Sequence, residues 1–151
     1  TAGNPLETED SRRARWNPDP ELAEAYRALR TSLLLGSDET TRRTLVTRSQ
    51  PQEGKTTVSL NLACSLAQLG RPTLLIDADM RRPNCDKQLG VKAEYGLSDD
   101  LQGLAEFGQV VSETPIMDLS LIPAGRLHST ASDLLYSPRL RILLQQAGEG
   151  F

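Results

Sequence analysis

The sequence predicts an α/β fold in which a parallel sheet is flanked by helices. Two short segments, residues 44–48 (TLVTR) and 73–77 (TLLID), have the composition of strands. Between them, residues 55–69 place apolar side chains at helical spacing, and Gly70 and Pro72 follow. A strand, a helix and a second strand within about 35 residues form a βαβ unit, whose strands are parallel. The run at 73–77 is apolar almost throughout, which is typical of a strand covered on both faces.

The composition is that of one globular domain. The chain has 151 residues, of which 38% are hydrophobic and 25% are charged. With 17 Lys and Arg against 20 Asp and Glu, the net charge is −3, and we expect no nucleic-acid partner. The two cysteines, Cys64 and Cys85, have no metal or redox spacing. No apolar run approaches the ~18 residues of a membrane span, and no signal peptide opens the chain.

The first predicted helix follows a polar arm. Residues 1–18 show no apolar period and predict a linker, so the folded domain is expected over residues 19–151. Asp19 and Pro20 suit the N-cap and the first position of a helix that Gly36 ends. Its apolar side chains recur at helical spacing: Leu22, Tyr26, Leu29 and Leu33. Three charged side chains are expected on the other side of this helix: Glu24, Arg27 and Arg30.

The second half of the chain predicts three further elements. Ser98 is expected to cap a short helix over residues 99–103. Residues 118–122 (DLSLI) predict a third strand. Pro138 opens a last helix over residues 138–147, which Gly148 is expected to end.

A phosphate-binding loop joins the first predicted strand to the helix after it. Residues 49–56 read S-Q-P-Q-E-G-K-T and match the pattern G-x-x-x-x-G-K-[ST], except that Ser49 replaces the first glycine. In such a P-loop, backbone N–H groups and the helix N-terminus point at phosphate oxygens. Gly54 lets the backbone come close, Lys55 supplies charge for the β- and γ-phosphates, and Thr56 supplies a hydroxyl for Mg²⁺. The predicted nucleotide-binding residues are Gln52, Glu53, Gly54, Lys55, Thr56 and Thr57.

Two aspartates follow the second predicted strand. Residues 74–83 read L-L-I-D-A-D-M-R-R-P, and alternation along a strand puts Asp77 and Asp79 on the same side. They lie at the carboxyl end of the strand, where open α/β sheets bind ligands. Two carboxylates beside a triphosphate would repel it unless a cation or a proton lies between them, and Mg²⁺ would resolve that conflict. One carboxylate can hold the metal's water shell, and the other can accept a proton from an attacking hydroxyl or orient it. The predicted catalytic residues are Lys55, Asp77 and Asp79.

These residues resemble the cytoplasmic domain of bacterial tyrosine kinases, the P-loop autokinases paired with exopolysaccharide and capsule chain-length regulators. The resemblance covers residues 19–151. Four stretches carry it: 24–33 (EAYRALRTSL), 51–57 (PQEGKTT), 74–83 (LLIDADMRRP) and 96–103 (GLSDDLQG). It implies a P-loop NTPase of the division-site and partitioning ATPase type that uses ATP and Mg²⁺. It also implies that Lys55 contacts phosphates, that Thr56 and Asp79 hold the metal, and that Asp77 activates a tyrosine hydroxyl.

The resemblance further implies an ATP-dependent protein-tyrosine autokinase that regulates exopolysaccharide or capsule synthesis and export. Such a kinase works at the cytoplasmic face of the inner membrane, with a membrane chain-length regulator or a fused transmembrane segment as partner. A ring-like homo-oligomer is implied, with Glu24, Arg27 and Arg30 as subunit contacts.

The chain departs from this family at its C-terminal side. It stops at Phe151 before the Walker B strand that carries a further metal-linked aspartate, and it has three tyrosines where the family ends in a tyrosine cluster. The sequence also does not begin with Met. We therefore expect an excerpt of a longer protein: a partial kinase domain over residues 19–151 that is weak or inactive alone.

Two other functions fit the same residues. A nucleotide-switched, oligomerising ATPase module without kinase activity would bind ATP and gate a membrane polysaccharide co-polymerase, and the missing tyrosine cluster favours it. A partitioning ATPase that acts on DNA or a membrane surface fits less well. Ser49 stands where that class has a lysine, and the chain has no basic surface bias. A kinase would form phosphotyrosine that is lost when Lys55 or Asp77 is replaced, whereas the nucleotide-switched module would form no phosphotyrosine.

Overall fold

The structure is a small mixed sheet with helices on both faces. The computed structural model describes residues 18–36, 43–47, 54–126 and 131–151. Residues 1–17 of the predicted arm and residues 49–53 of the P-loop lie outside the described residues. The helices of the described part are α1 (Pro20–Gly36), α2 (Lys55–Ala67), α3 (Cys85–Leu89), α4 (Leu97–Leu101), α5 (Phe107–Val110), α6 (Ala131–Leu135) and α7 (Pro138–Gly150). No helix in this part of the chain is long and apolar enough to cross a membrane.

Three strands form the sheet in the order β1–β3–β2. The strands are β1 (Thr73–Ile76), β2 (Ser112–Glu113) and β3 (Leu119–Ile122). Strands β1 and β3 are parallel, with Thr73 opposite Leu119 and Ile76 opposite Ile122. Strand β2 pairs antiparallel with β3 and places Ser112 opposite Leu121. The sheet is therefore mixed, because a two-residue antiparallel strand that the sequence did not reveal lies at its edge.

The predicted strand over residues 44–48 is wrong as far as the structure describes it. Residues 43–47 have no strand pairing, and Arg48 lies outside the described residues. Leu45 is 87% exposed, whereas a central strand would bury it. The guanidinium of Arg43 donates to the Leu144 carbonyl oxygen at 2.8 Å, so this segment is held against α7.

Strand β3 has buried side chains on both of its faces. Leu119 and Leu121 belong to a cluster formed with α2 and α3. Ile122 belongs to a second cluster formed with α4, α5 and α7. Neighbouring residues of a strand point to opposite faces, so the two clusters cover the two sides of the sheet. This confirms the helix-flanked α/β arrangement that the sequence predicts.

Two helix boundaries differ from the predicted ones. Helix α4 begins at Leu97, because the N–H of Gly96 donates to the Asp99 carboxylate at 2.8 Å and this capping interaction starts the helix before Ser98. Helix α7 continues through Gly148 to Gly150. Glycine disfavours a helix interior only by about 1 kcal/mol relative to alanine, so its presence does not by itself end the helix.

Helix α1 packs on α2 with a face that only partly matches the predicted one, since Tyr26 and Leu33 are half-buried as expected. It has no fully buried residue, and Leu22 and Leu29 are 41% and 40% exposed. The Arg30 guanidinium, expected on the other side, donates to the Ser65 carbonyl oxygen of α2 at 2.6 Å. The Ser65 hydroxyl lies 3.5 Å from the carbonyl oxygen of Tyr26. Arg30 therefore belongs to the packed face, because its long side chain reaches a backbone acceptor on the neighbouring helix.

Candidate nucleotide-binding site

The N-terminus of α2 has the properties of an anion site. Gly54 adopts the left-handed conformation (φ 70°), which favours glycine, and the helix starts at Lys55. The first amides of a helix have no acceptor within the helix. No side-chain hydrogen bond caps this end, and no acidic residue lies in its first turn. The helix dipole and these N–H groups can therefore act on an anion.

Lys55 meets the second aspartate at this helix end. Its ammonium group donates to Asp79 Oδ2 at 2.9 Å, and the two side chains are 23% and 18% exposed. Burial raises the pKa of Asp79, but the Lys55 hydrogen bond and charge and the backbone N–H groups of Arg82 and Arg81 outweigh it. The net pKa of Asp79 is below its ordinary value, so the carboxylate is charged at neutral pH.

Asp77 is buried and fully engaged with the backbone. Its Oδ1 accepts the N–H of Asp79 at 3.0 Å, and its Oδ2 accepts the N–H groups of Asn84 and Cys85 at 3.2 Å each. Asp77 is 6% exposed, and its own N–H donates to Ile122 at the end of β3. The carboxylate therefore fixes the loop from the end of β1 to the start of α3, and with it the position of Asp79.

The structure brings together three of the predicted site residues at the carboxyl end of the parallel strands. Lys55 contacts Asp79, and Asp79 contacts Asp77 through its backbone N–H. Thr56 is half-buried and Thr57 is exposed in the first turn of α2. Gln52 and Glu53 lie outside the described residues.

The predicted subunit-contact residues lie apart from this site on α1. Glu24 and Arg27 form an exposed ion pair at 3.0 Å, with 73% and 51% of their side chains exposed. Arg30 contacts α2 and is half-buried. The three residues therefore do not form one charged surface.

Sequence reasoning missed the groups that hold the aspartates. Cys85 and Asn84 contribute backbone amides to Asp77, and Arg82 contributes one to Asp79. The sequence carried only a weak signal for these contacts. A carboxylate that follows a strand can accept the first amides of the next short helix only if the loop between them folds back toward the carboxylate. The Cys85 thiol is buried and free, and burial together with the Asp77 charge raises its pKa to about 12.

A glycine-started helix, a lysine at its first position and two aspartates after a parallel strand define the site of a P-loop nucleotide-binding protein. Residues 47–137 match the model of the CobQ/CobB/MinD/ParA nucleotide-binding domain, and the chain belongs to this family.

Among the relatives are tyrosine-protein kinases. The tyrosine-protein kinase etk of Escherichia coli (strain K12) is 38% identical over 136 residues, which are 89% of this chain and 19% of that protein. A putative tyrosine-protein kinase in the cps region of Klebsiella pneumoniae is 32% identical over the same shares of the two chains. The chain thus spans about a fifth of the length of the relatives it matches. The resemblance to bacterial tyrosine kinases is confirmed.

Solved structures agree with this placement. The kinase domain of Escherichia coli tyrosine kinase ETK superposes with a TM-score of 0.80 at 38% identity, over 85% of this chain and 51% of that one. The chimerical protein CapA2B2 gives 0.81 at 26% identity, over 94% and 63%. The septum site-determining protein MinD from Pyrococcus horikoshii OT3, complexed with Mg-ADP, gives 0.55 at 26%, over 65% and 40%. The predicted P-loop fold of the division-site ATPase type is confirmed.

Proposed function

We propose that the chain is the nucleotide-binding part of an ATP-dependent protein-tyrosine kinase. The observation that carries the proposal is the 2.9 Å contact between Lys55 and Asp79 at the N-terminus of α2. It places a cation for phosphates and a carboxylate for a divalent metal at one helix end, whose dipole favours an anion. The tyrosine kinases among the relatives supply the class of reaction. The MinD structure with Mg-ADP supports a magnesium nucleotide as the ligand.

The donor set at this helix end suits ATP and Mg²⁺. Lys55 would hold the β- and γ-phosphates, and the amides of Lys55, Thr56 and Thr57 would add neutral donors. The Thr56 hydroxyl and the Asp79 carboxylate are hard oxygen ligands of the kind that Mg²⁺ prefers. When bound, Mg²⁺ supplies positive charge against the triphosphate. Because Lys55 and Asp79 neutralise each other in this structure, each must exchange its partner for the ligand when nucleotide binds.

Asp77 is proposed to act on the tyrosine hydroxyl. Three backbone N–H groups already donate to its two oxygens. A carboxylate has about four lone-pair sites, and the Cys85 thiol also hydrogen-bonds to Asp77, so an incoming hydroxyl would have to replace this thiol. Asp77 therefore suits the role of a hydrogen-bond acceptor that is held in a fixed place and orients the tyrosine hydroxyl. Its replacement would remove both this acceptor and the hydrogen bonds that hold the loop.

The test is phosphotyrosine on the protein as its natural host makes it, after incubation with ATP and MgCl₂, measured by immunoblot. We expect the signal to be lost in Lys55→Met and in Asp77→Asn. The matched control is Lys92→Met, which removes an exposed lysine of the loop after α3 and should keep the signal. Phosphotyrosine that persists in both site variants would contradict the assignment. Magnesium-dependent ATP binding by calorimetry with no phosphotyrosine in the unchanged protein would favour the nucleotide-switched module.

We also propose that α1 contributes a subunit contact in a homo-oligomer. Glu24 and Arg27 are exposed and available to a neighbour, whereas Arg30 would set the position of α1 on α2. The resemblance to exopolysaccharide and capsule kinases supports a membrane chain-length regulator, separate or fused, as the second partner. It also supports the cytoplasmic face of the inner membrane as the place where the protein regulates polysaccharide synthesis and export.

A further inference from the structure

Tyr136 differs from the other two tyrosines in its exposure. The chain has three tyrosines, and all three lie within the described residues. Tyr136 is 89% exposed. Tyr26 and Tyr95 are half-buried, and the Glu94 carboxylate accepts a hydrogen bond from the Tyr95 phenol and raises its pKa. Tyr136 is therefore the tyrosine whose whole ring can enter another protein's cleft.

The backbone around Tyr136 is held in place. Tyr136 lies in the turn that joins α6 to α7, and its N–H donates to the Asp133 carbonyl oxygen at 3.1 Å. The N–H of Ser137 donates to the Leu134 carbonyl oxygen at 3.0 Å. On either side of the turn, Leu134 and Leu140 pack against the core. The ring therefore projects from a folded turn between two helices.

Tyr136 precedes the N-terminal end of α7 in the sequence, and this end of a helix favours an anion. Ser137 caps α7, and no acidic residue lies in the first turn of this 13-residue helix. The same end of the helix carries Arg139 and Arg141. Arg139 already donates to the Asp100 carbonyl oxygen at 2.6 Å, while Arg141 is exposed. A phosphate next to a helix N-terminus and an arginine is stabilised by both. Two acidic residues oppose this effect: Asp133, one turn before, and Asp100, whose carboxylate lies 3.9 Å from the Arg139 guanidinium.

We propose that Tyr136 is a phosphorylation site of this protein, an inference that rests on the proposed kinase activity. The phenol oxygen bonds to the γ-phosphorus of ATP while the bond from that phosphorus to the β,γ-bridging oxygen breaks. ADP leaves, and the phenolic proton passes to a carboxylate of the kinase site or to water. Phosphorylation would add a dianion to the α6–α7 turn, at the start of a helix that packs on α4.

Mass spectrometry of one tryptic peptide tests the proposal. Cleavage after Arg126 and Arg139 gives the peptide 127–139, in which Tyr136 is the only tyrosine. The protein as its natural host makes it is incubated with ATP and MgCl₂, and fragment ions place the phosphate. We expect phosphate on Tyr136 in the unchanged protein and none in Lys55→Met. Tyr136→Phe should lose this site, yet still phosphorylate an added tyrosine peptide at least half as fast. Tyr95→Phe is the matched control and should keep phosphate on Tyr136.

Two outcomes overturn the proposal, and they differ in what they say about the kinase. An unmodified Tyr136, or phosphate only on a serine or threonine of the same peptide, with phosphotyrosine formed elsewhere, rejects this site and leaves the kinase activity standing. No phosphotyrosine on the protein or on the added peptide rejects both proposals.

Discussion

At the scale of single residues, the Lys55–Asp79 pair links stability to pH. The pKa of Asp79 in the folded protein is lower than its ordinary value, which is about 3.9 for an aspartate in an unfolded chain. A carboxylate with a lowered folded pKa stabilises the fold above its unfolded pKa, and it loses this contribution as pH falls through the folded pKa. The stabilisation by Asp79 is thus complete at neutral pH and disappears in acid.

We expect Asp79→Asn to lower the free energy of unfolding by about 1 kcal/mol at pH 7, because a partly exposed, charge-assisted hydrogen bond is lost. The deficit should shrink as the pH is lowered below about 4. Urea unfolding across that range measures it. Lys55→Met should show the same pH dependence, and the double variant should lose no more than either single variant. A deficit that stays constant with pH would contradict the role of the charge.

Gly96 is a second residue whose replacement should affect stability, because the backbone packs closely against it. A Cβ atom at Gly96 would overlap the backbone nitrogen of Gly125 and the carbonyl oxygen of Pro123, and this oxygen accepts the N–H of Leu97. We expect Gly96→Ala to cost roughly 2 kcal/mol or more, because backbone atoms cannot move aside cheaply. Gly108 is the control, since a Cβ there meets nothing within 4 Å. Thermal unfolding of both variants checks this, and equal melting temperatures would refute the packing argument.

At the scale of elements, the sequence predicts where the motifs lie better than it predicts which side of a helix is packed. Helix α2 follows from periodicity and strand β1 from its apolar run. The meeting of Lys55 with Asp79 follows because the start of this helix and the carboxyl end of the strand lie at one edge of the sheet. The strand over 44–48 failed because pairing depends on a partner strand, which local composition does not contain. Arg30 was placed on the wrong face because helical periodicity groups apolar side chains, whereas a long arginine can join a packed face through a carbonyl oxygen.

The short helix α3 depends on Asp77. The amides of Asn84 and Cys85 at its start have the Asp77 carboxylate as acceptor. We expect Asp77→Ala to destabilise the protein by about 2–4 kcal/mol, because two sheltered donors lose their partner. Hydrogen exchange should become faster at the amides of residues 84 and 85, while exchange in the middle of α7 stays slow apart from any global loss.

This measurement also separates the two effects of Asp77 on phosphorylation. Asp77→Asn keeps one acceptor oxygen, and its exchange at residues 84 and 85 should lie between that of Asp77→Ala and that of the unchanged protein. If these amides exchange at the same rate in all three proteins, the hydrogen bonds to Asp77 do not hold α3. A loss of phosphotyrosine in Asp77→Asn would then reflect only the missing acceptor for the tyrosine hydroxyl.

At the scale of the whole molecule, α1 leaves much of its apolar surface exposed. It has no fully buried residue, and Leu34 and Leu35 near its C-terminal end are 43% and 83% exposed. The same helix presents the Glu24–Arg27 pair to solvent. An exposed pair of this kind contributes little to the stability of one chain. Leucines beside charged side chains instead suit a surface that a neighbouring copy covers.

We therefore expect Arg27→Glu to shift the protein toward smaller assemblies, because it places two acids one helical turn apart on the proposed contact. Light scattering after size exclusion, at one fixed protein concentration, measures the mass. Arg71→Glu is the control with an identical change of charge, since Arg71 is exposed in the loop before β1, away from α1 in the sequence. Phosphotyrosine formed between copies should fall with the assembly mass in Arg27→Glu and stay constant in Arg71→Glu. An equal loss of mass in both variants would mean that net charge controls assembly, and α1 would lose its place as the contact.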